Sequence, residues 1–473
     1  MVTTRVETDS LGSILLSGDV YYGIHTSRAT ANFPITGMLL RDYPELIQSL
    51  GMVKKAAAQT NLDLGELDER VGHAILRACD RVIAGEADNQ FIVDMLQGGA
   101  GTSTNMNANE VIANMALREL QKPAGQYAVV NPNDHVNLSQ STNDVYPTAA
   151  RLTMVRACPA LIAELLALKT TFLEKAVEFH DVIKVGRTQL MDAVPMRLGH
   201  EFRAFGVTIG EDADRLTEVA NLLREVNLGG TAIGTGLNTP DGYAKTVIEH
   251  LSAISGEKMI GAGDLIEATS DMGAFVTFSG VLKRVAVKLS KICNDLRLLN
   301  SGPRAGFGEI RLPAVQAGSS IMPGKVNPVM PEVINQIAYQ VIGNDLTVTM
   351  AAEAGQLQLN AMEPVIVLNI LQSMRMLTRG MKVLREKCIV GIEADAERCK
   401  YLLEHSLVAV TAINPYVGYA TASEVAKEAM KTGQSLRAVV MARGLMTEAQ
   451  LNDAFLTENL LGQVARKNSA NHQ

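Results

Sequence analysis

Residues 275–299 read FVTFSGVLKRVAVKLSKICNDLRLL, and their apolar members fall alternately three and four apart: Phe275, Phe278, Leu282, Val285, Leu289, Ile292, Leu296 and Leu299. Such an unbroken alternation marks a helix buried along one seam of a bundle. Val276, Val281, Ala286 and Cys293 lie off that seam, so more than one face is expected to be covered, a sign of oligomerisation. The seam is read as core and carries no chemistry.

Working outward, similar helical patterns occupy roughly 149–182, 196–226, 265–299, 329–359 and 363–390. A helix of about 30 residues is about 45 Å long. Five such rods predict an elongated bundle in a mainly α protein. Amphipathic helices are also expected near 45–61 and 67–83, after a start of irregular or short-strand structure. Shorter helices follow Glu393, with Thr447 and Gln450 spaced as a capping box and Gly433 and Gly444 placed as helix stops. The expected domains are a mostly helical 1–141, a five-helix 142–392 and a small helical 393–473.

The chain has 473 residues, more than a single core usually organises. Its composition, 47% hydrophobic and 20% charged, is that of an ordinary globular protein. A net charge of −7 gives no sign of nucleic-acid binding, and it requires a local positive site for any anionic substrate. The five cysteines are widely spaced without a Cys-x-x-Cys pair, and the histidines show no ligand spacing, so neither a disulfide framework nor a zinc site is expected. No leader-like segment or membrane-length apolar run is present in the sequence, and a cytoplasmic location is the expectation.

The chemistry is concentrated in polar, glycine-bearing stretches. Gly318-Ser319-Ser320-Ile321-Met322-Pro323-Gly324-Lys325-Val326-Asn327-Pro328 cannot form a continuous helix or a central strand. A hydroxyl beside a fixed positive charge can be held partly as an alkoxide, and a lysine with an asparagine can hold a carboxylate. Gly98 to Asn107 places three glycines before hydroxyls at an apparent helix start, a seat for an anion that lacks the Gly-Lys-Ser/Thr of a phosphate loop. Asn131 to Asp144 is dense in Asn, Ser and Thr, which suits turn and N-cap chemistry as well as binding. Gly186-Arg187-Thr188-Gln189 is read as a loop between rods, with Pro195 starting the next helix. Arg28, in the polar turn after Tyr21, can contact an anion, and Gly229 to Gly236 is read as a loop at one bundle end.

Together these stretches resemble the aspartase/fumarase superfamily. The Ser319 loop matches the signature Gly-Ser-Ser-x-Met-Pro-x-Lys-x-Asn at every specified position, through Gly318, Ser319, Ser320, Met322, Pro323, Lys325 and Asn327. The resemblance runs through the Tyr22-Gly23 turn, Gly101-Thr102, Ser141-Thr142-Asn143-Asp144 and Gly186-Arg187-Thr188, nearly the whole chain. It implies a three-domain fold whose central helices pack into a tetrameric core, with each active site drawn from three chains. Thr102-Ser103-Thr104-Asn105, Ser141-Thr142-Asn143-Asp144, Asp264 to Asp271 and Ala352 to Asn360 resemble the aspartase branch more than the class II fumarases, which remain the alternative. A recruited, non-catalytic relative such as a lens crystallin is the reading from another class. Gln189 stands where many members carry histidine, so no titratable ring acts there.

The resemblance implies reversible loss of ammonia from L-aspartate to give fumarate through an aci-carboxylate. Ser319 becomes the general base, its alkoxide favoured by Lys325 and by loop N–H groups. Thr102, Ser141 and Thr142 become donors to the carboxylate that gains charge, while Lys325 and Asn327 hold the other carboxylate. Asn143, with Thr188 and Gln189, faces the amine. Gly318 and Gly324 let the loop close. No organic cofactor is implied; a divalent cation such as magnesium activates some members, although no ligand cluster for it is seen in the sequence.

Overall fold

In the computed structural model, which describes residues 4–406, 408, 410–455 and 457–461, helices dominate. The chain opens with an antiparallel hairpin, β1 (Thr4–Asp9) and β2 (Gly12–Ser17), in which Thr4 faces Ser17 and Asp9 faces Gly12. Then come α1 (Ile24–Asn32), α2 (Pro44–Asp63), α3 (Glu69–Ile83), α4 (Thr102–Glu119) and α5 (Thr142–Glu178). A second hairpin, β3 (Ile183–Thr188) and β4 (Met191–Arg197), leads into α6 (Leu198–Ala220). Next are α7 (Tyr243–Ser255), α8 (Leu265–Ser270), α9 (Gly273–Leu299), α10 (Val329–Glu353) and α11 (Glu363–Lys387). Shorter helices follow: α12 (Ala396–His405), α13 (Val410–Val417), α14 (Tyr419–Thr432), α15 (Leu436–Ala442), α16 (Glu448–Ala454) and α17 (Thr457–Leu460).

Two compact units are distinguishable. The first holds residues 1–163, 212–287 and 337–378. In it α2 packs on α3, with Gly51 against Val82 and Ile83 and Gly72 against Leu62. α1 has no side-chain cap of its own. Instead the buried Glu110 of α4 accepts the N–H groups of Gly23, His25 and Thr26 and the Thr26 hydroxyl at 2.6–3.0 Å, satisfying donors that a helix start leaves open. Asp345 of α10 accepts Ser279 Oγ–H at 2.8 Å and Lys283 Nζ–H at 2.6 Å from α9.

The second unit holds, among the described residues, 164–211, 288–336 and those from 379 onward. Phe172, Phe179, Phe202 and Phe205 form an aromatic cluster between α5 and α6, with centroids 5.0–6.2 Å apart. Asn335 of α10 donates to Ser290 Oγ and Asn294 Oδ1 of α9 at 2.9 and 3.0 Å. Ile413, Val425, Leu436, Val439 and Leu451 form a core of their own in α13 to α16. The capping box at Thr447 and Gln450 is formed, and Gly433 ends α14 in the left-handed region.

All eight residues of the α9 seam are buried, at 5% exposure or less. Several boundaries differ from the periodicity: α6 ends at Ala220 rather than near 226 and α10 at Glu353 rather than near 359, and three further differences have a local cause. α5 begins at Thr142, because its first turn is polar and gives no apolar signal. The 265–299 pattern is broken at Asp271 and Met272, where the Asp271 carboxylate caps the following turn by accepting Gly273 N–H at 2.8 Å. Finally, 183–197 is a hairpin rather than a loop. Pro195 sits in β4 opposite Val185, next to a register shift, where a strand tolerates the missing N–H, and the helix starts at Leu198.

Candidate active site

The sequence-predicted site residues fall into three local groups. The first lies in the first unit, where α4 and α5 begin. Gly101 caps α4 with φ of 88°, and a Cβ there would sit 2.4 Å from the Tyr146 ring, so only glycine lets the two helix starts meet this closely. Thr102 Oγ donates to Gly99 O at 2.7 Å; to serve a substrate as a donor it must rotate. Thr142 Oγ accepts Asn105 Nδ2–H at 3.1 Å, which leaves its own proton available. Ser141 Oγ accepts Asn143 N–H at 3.3 Å and is likewise free to donate.

Beneath these hydroxyls lies a buried polar layer. Asn137 Oδ1 accepts Lys54 Nζ–H at 2.9 Å and the amides of Asn105 and Asn109 at 3.1 Å each; Lys54 also donates to Gln140 Oε1 at 2.9 Å. Asp144 accepts Ser141 N–H at 2.9 Å, Gly229 N–H at 3.0 Å and Thr231 N–H at 3.1 Å. Burial raises the Asp144 pKa to about 6, against the pull of those three donors and of Lys54. Burial also lowers Lys54 to about 7, opposed by the Asp144 charge. Sequence reasoning assigned neither residue a role. A lysine seven residues after Ile47 and four after Leu50, on the buried stripe of α2, was the available signal.

The second group is the tip of the β3–β4 hairpin, in the second unit. Thr188 pairs with Met191, and Gln189 and Leu190 form the turn, both at positive φ (54° and 63°) and both exposed. Strand β3 is anchored by ions near both of its ends. The fully buried Glu309 receives Arg187 Nη1 at 2.8 Å and Lys184 Nζ at 2.9 Å, and Lys184 also reaches Glu201 at 2.7 Å. Glu309 directly precedes Ile310–Arg311, which pairs with Glu393–Ala394.

The third group, in the same unit, is the Ser319 loop. Its neck is closed by Gly318 N–H donating to Lys325 O at 2.9 Å and by Asn327 Nδ2–H donating to Gly318 O at 2.6 Å. One amide hydrogen of Asn327 is thereby committed and one remains. Ser319 Oγ accepts Ile321 N–H at 3.2 Å and Met322 N–H at 3.0 Å, bonds that favour a charged oxygen. Ser320, Met322 and Lys325 are exposed, Gly324 turns the loop at φ of 80°, and the Lys325 ammonium makes no ion pair or hydrogen bond among the described residues. Arg28, by contrast, is occupied: it forks onto Asp9 with two 2.8 Å bonds.

Among the described residues no group of three or more His, Cys, Asp and Glu side chains is placed to hold a metal ion, so these residues do not fit a divalent site of that kind and no step is derived through one. No helix among them is long and apolar enough to cross a membrane.

The scaffold is mainly helical, with hydroxyl-rich helix starts in the first unit and a serine- and lysine-bearing loop in the second. Residues 12–343 match the family described as Lyase, and residues 410–462 match Fumarase C C-terminus. An aspartate ammonia-lyase of Pseudomonas aeruginosa is 57% identical, covering 98% of each chain, and one of Escherichia coli K12 is 53% identical over 97% of this chain and 96% of its own. Among solved structures, a Brucella melitensis protein described as fumarate lyase:delta crystallin, bound to cobalt, superposes with a TM-score of 0.94 at 56% identity, covering 98% of this chain and 100% of that one. A class II fumarase of Schistosoma mansoni gives 0.89 at 33% identity, covering 96% and 98%. The chain belongs to the aspartase/fumarase superfamily of lyases.

Proposed function

We propose that the protein is an aspartate ammonia-lyase, eliminating ammonia reversibly from L-aspartate to give fumarate. The observation that carries the mechanism is Ser319 Oγ accepting two backbone N–H groups of its own loop, which also bears the exposed Lys325. Preference for aspartate over malate is supported by 50–57% identity to proteins named aspartate ammonia-lyase, against 33% to a class II fumarase.

The chemical difficulty is a weakly acidic C–H beside a carboxylate that is already anionic. Ser319, as its alkoxide, takes the proton from Cβ, and the electron pair moves onto the adjacent carboxylate to form the aci-dianion. Preorganised donors make that charge tolerable. Thr142 and Ser141 have hydroxyl protons free for this, and Thr102 joins them on rotating from Gly99. Lys325 and the spare amide hydrogen of Asn327 hold the other carboxylate. Collapse of the dianion forms the C=C bond and breaks C–N, whose electron pair leaves on nitrogen. Because the amine is bound as an ammonium it departs as neutral ammonia and needs no dedicated acid. Asn143, with Thr188 and Gln189, faces that group.

The working assembly in this reading is a homotetramer with each site drawn from three chains. The apolar stripe Tyr339, Ile342, Leu346 and Met350 on α10, 37–65% exposed in the single chain, supports self-association. A cytoplasmic location and activity without an organic cofactor belong to the same proposal. The test is fumarate formation followed by ultraviolet absorbance from L-aspartate and, separately, from L-malate, with wild-type protein and Ser319→Ala. Turnover of aspartate that falls at least about 100-fold in the variant is expected. Activity on malate alone refutes the substrate, and near-normal turnover by Ser319→Ala refutes the base.

A further inference from the structure

The glycine-rich residues 229–236 are read from the sequence as a loop only, yet the segment from Asn227 to Ala232 is bonded to the turn that holds Ser141, Thr142 and Asn143. Gly229 and Thr231 donate their N–H groups to Asp144 Oδ2 at 3.0 and 3.1 Å. Asn227 Nδ2 donates to the Asn143 carbonyl at 3.0 Å and to Thr269 Oγ1 at 3.0 Å. In return, Asn143 Nδ2 donates to Ala232 O at 2.7 Å.

That last bond fixes which end of the Asn143 amide is outward. A backbone carbonyl only accepts, so the –NH2 must face Ala232 and Oδ1 must point away. Oδ1 receives no hydrogen bond among the described residues. Asn143 therefore presents an acceptor, the group that an ammonium with three N–H donors and no lone pair requires. The segment is itself held tightly. Gly234 has φ of 93°, and a Cβ there would lie 2.4 Å from the Ile266 backbone nitrogen at the start of α8.

We propose that residues 227–232 are a positioning element for the ammonium subsite, holding Asn143 with its oxygen toward substrate and so setting affinity for the amine independently of affinity for the dicarboxylate. This rests on the reading of the protein as an aspartate ammonia-lyase. It assigns Asn227 and the Ala232 carbonyl a role although neither needs to touch substrate.

The experiment uses the reverse reaction, amination of fumarate, because there ammonium and dicarboxylate have separate KM values. Asn227→Asp keeps the shape but replaces the donor with an oxygen against the Asn143 carbonyl and against Thr269 Oγ1, whose own proton goes to Leu265 O. Gly234→Ala displaces the segment sterically. Each is expected to raise KM for ammonium about tenfold or more, the weight of one charge-assisted hydrogen bond, while KM for fumarate stays within about twofold. A thermal unfolding scan of the full-length protein identifies a variant that has not folded; Asn227→Asp, the nearly isosteric one, then decides. Equal rises in both KM values, or no change in either, overturn the proposal. A wild-type protein that hydrates fumarate but does not aminate it overturns the underlying reading and this inference together, and so is distinguishable from a failure of the positioning role alone.

Discussion

Arg187 Nη1 lies 2.8 Å from Glu309 Oε1, and the same carboxylate holds Lys184 Nζ at 2.9 Å with no exposure to solvent. Two cations thus share one buried acid along the strand that carries Thr188. Removing the acid leaves Arg187 without its counter-ion, while Lys184 keeps Glu201, a loss on the order of 3–5 kcal/mol for a broken buried pair. Glu309→Ala should lower the denaturant midpoint sharply and reduce aspartate turnover even below the transition. Glu309→Gln, which keeps the shape but not the charge, should fall between wild type and Glu309→Ala in urea unfolding.

Gly101→Ala tests the contact with Tyr146. The new methyl would overlap the ring at 2.4 Å, and the backbone at φ of 88° disfavours any side chain. Expected is a destabilisation of about 1–3 kcal/mol, typical of overpacking, with kcat/KM reduced because Thr102 moves with the helix start. Calorimetry and steady-state kinetics check both, and an unchanged melting temperature would contradict the contact.

Asp144 predicts opposite responses of activity and stability to acid. The groups facing it are Lys54 from α2 and the buried Tyr243 hydroxyl from α7. As pH falls through about 6 the carboxyl gains a proton and weakens as an acceptor for Ser141, Gly229 and Thr231, so kcat/KM should drop with an apparent pKa near 6. The folded-state pKa is raised above the usual 3.8. Its contribution to stability is therefore fully present below about 3.8 and lost as pH rises through about 6. Asp144→Asn should abolish that acid limb while lowering the plateau. A limb that persists unchanged in the variant assigns it to another group.

Leu190 occupies the left-handed region at the hairpin tip and is 65% exposed in the single chain. Leu190→Gly should raise stability by about 0.5–1 kcal/mol through relief of strain, offset by glycine's greater freedom when unfolded. A fall in melting temperature instead would mean that the leucine is covered by another copy of the chain.

Much of the fold was legible because burial imposes a period. α2, α3 and the α9 seam lie where apolar spacing places them, and Gly433 and Thr447 punctuate the C-terminal helices as their backbone chemistry requires. The hairpin was not legible, because proline followed by a helix-like pattern reads the same at a first helical turn and in a strand next to a register shift. The Ser319, Thr102 and Ser141 groups stood out through glycine, proline and hydroxyl density. Their supports did not. Gly229, Thr231 and Ala232 act through backbone atoms that every residue has, while Glu309 and Lys184 look like surface charges until distant segments bring them together.

The two N–H groups on Ser319 Oγ belong to Ile321 and Met322, residues of the same short loop. In the proposed reaction the serine oxygen would therefore be solvated by its own segment, and a displacement of that segment as a unit would carry both donors with it.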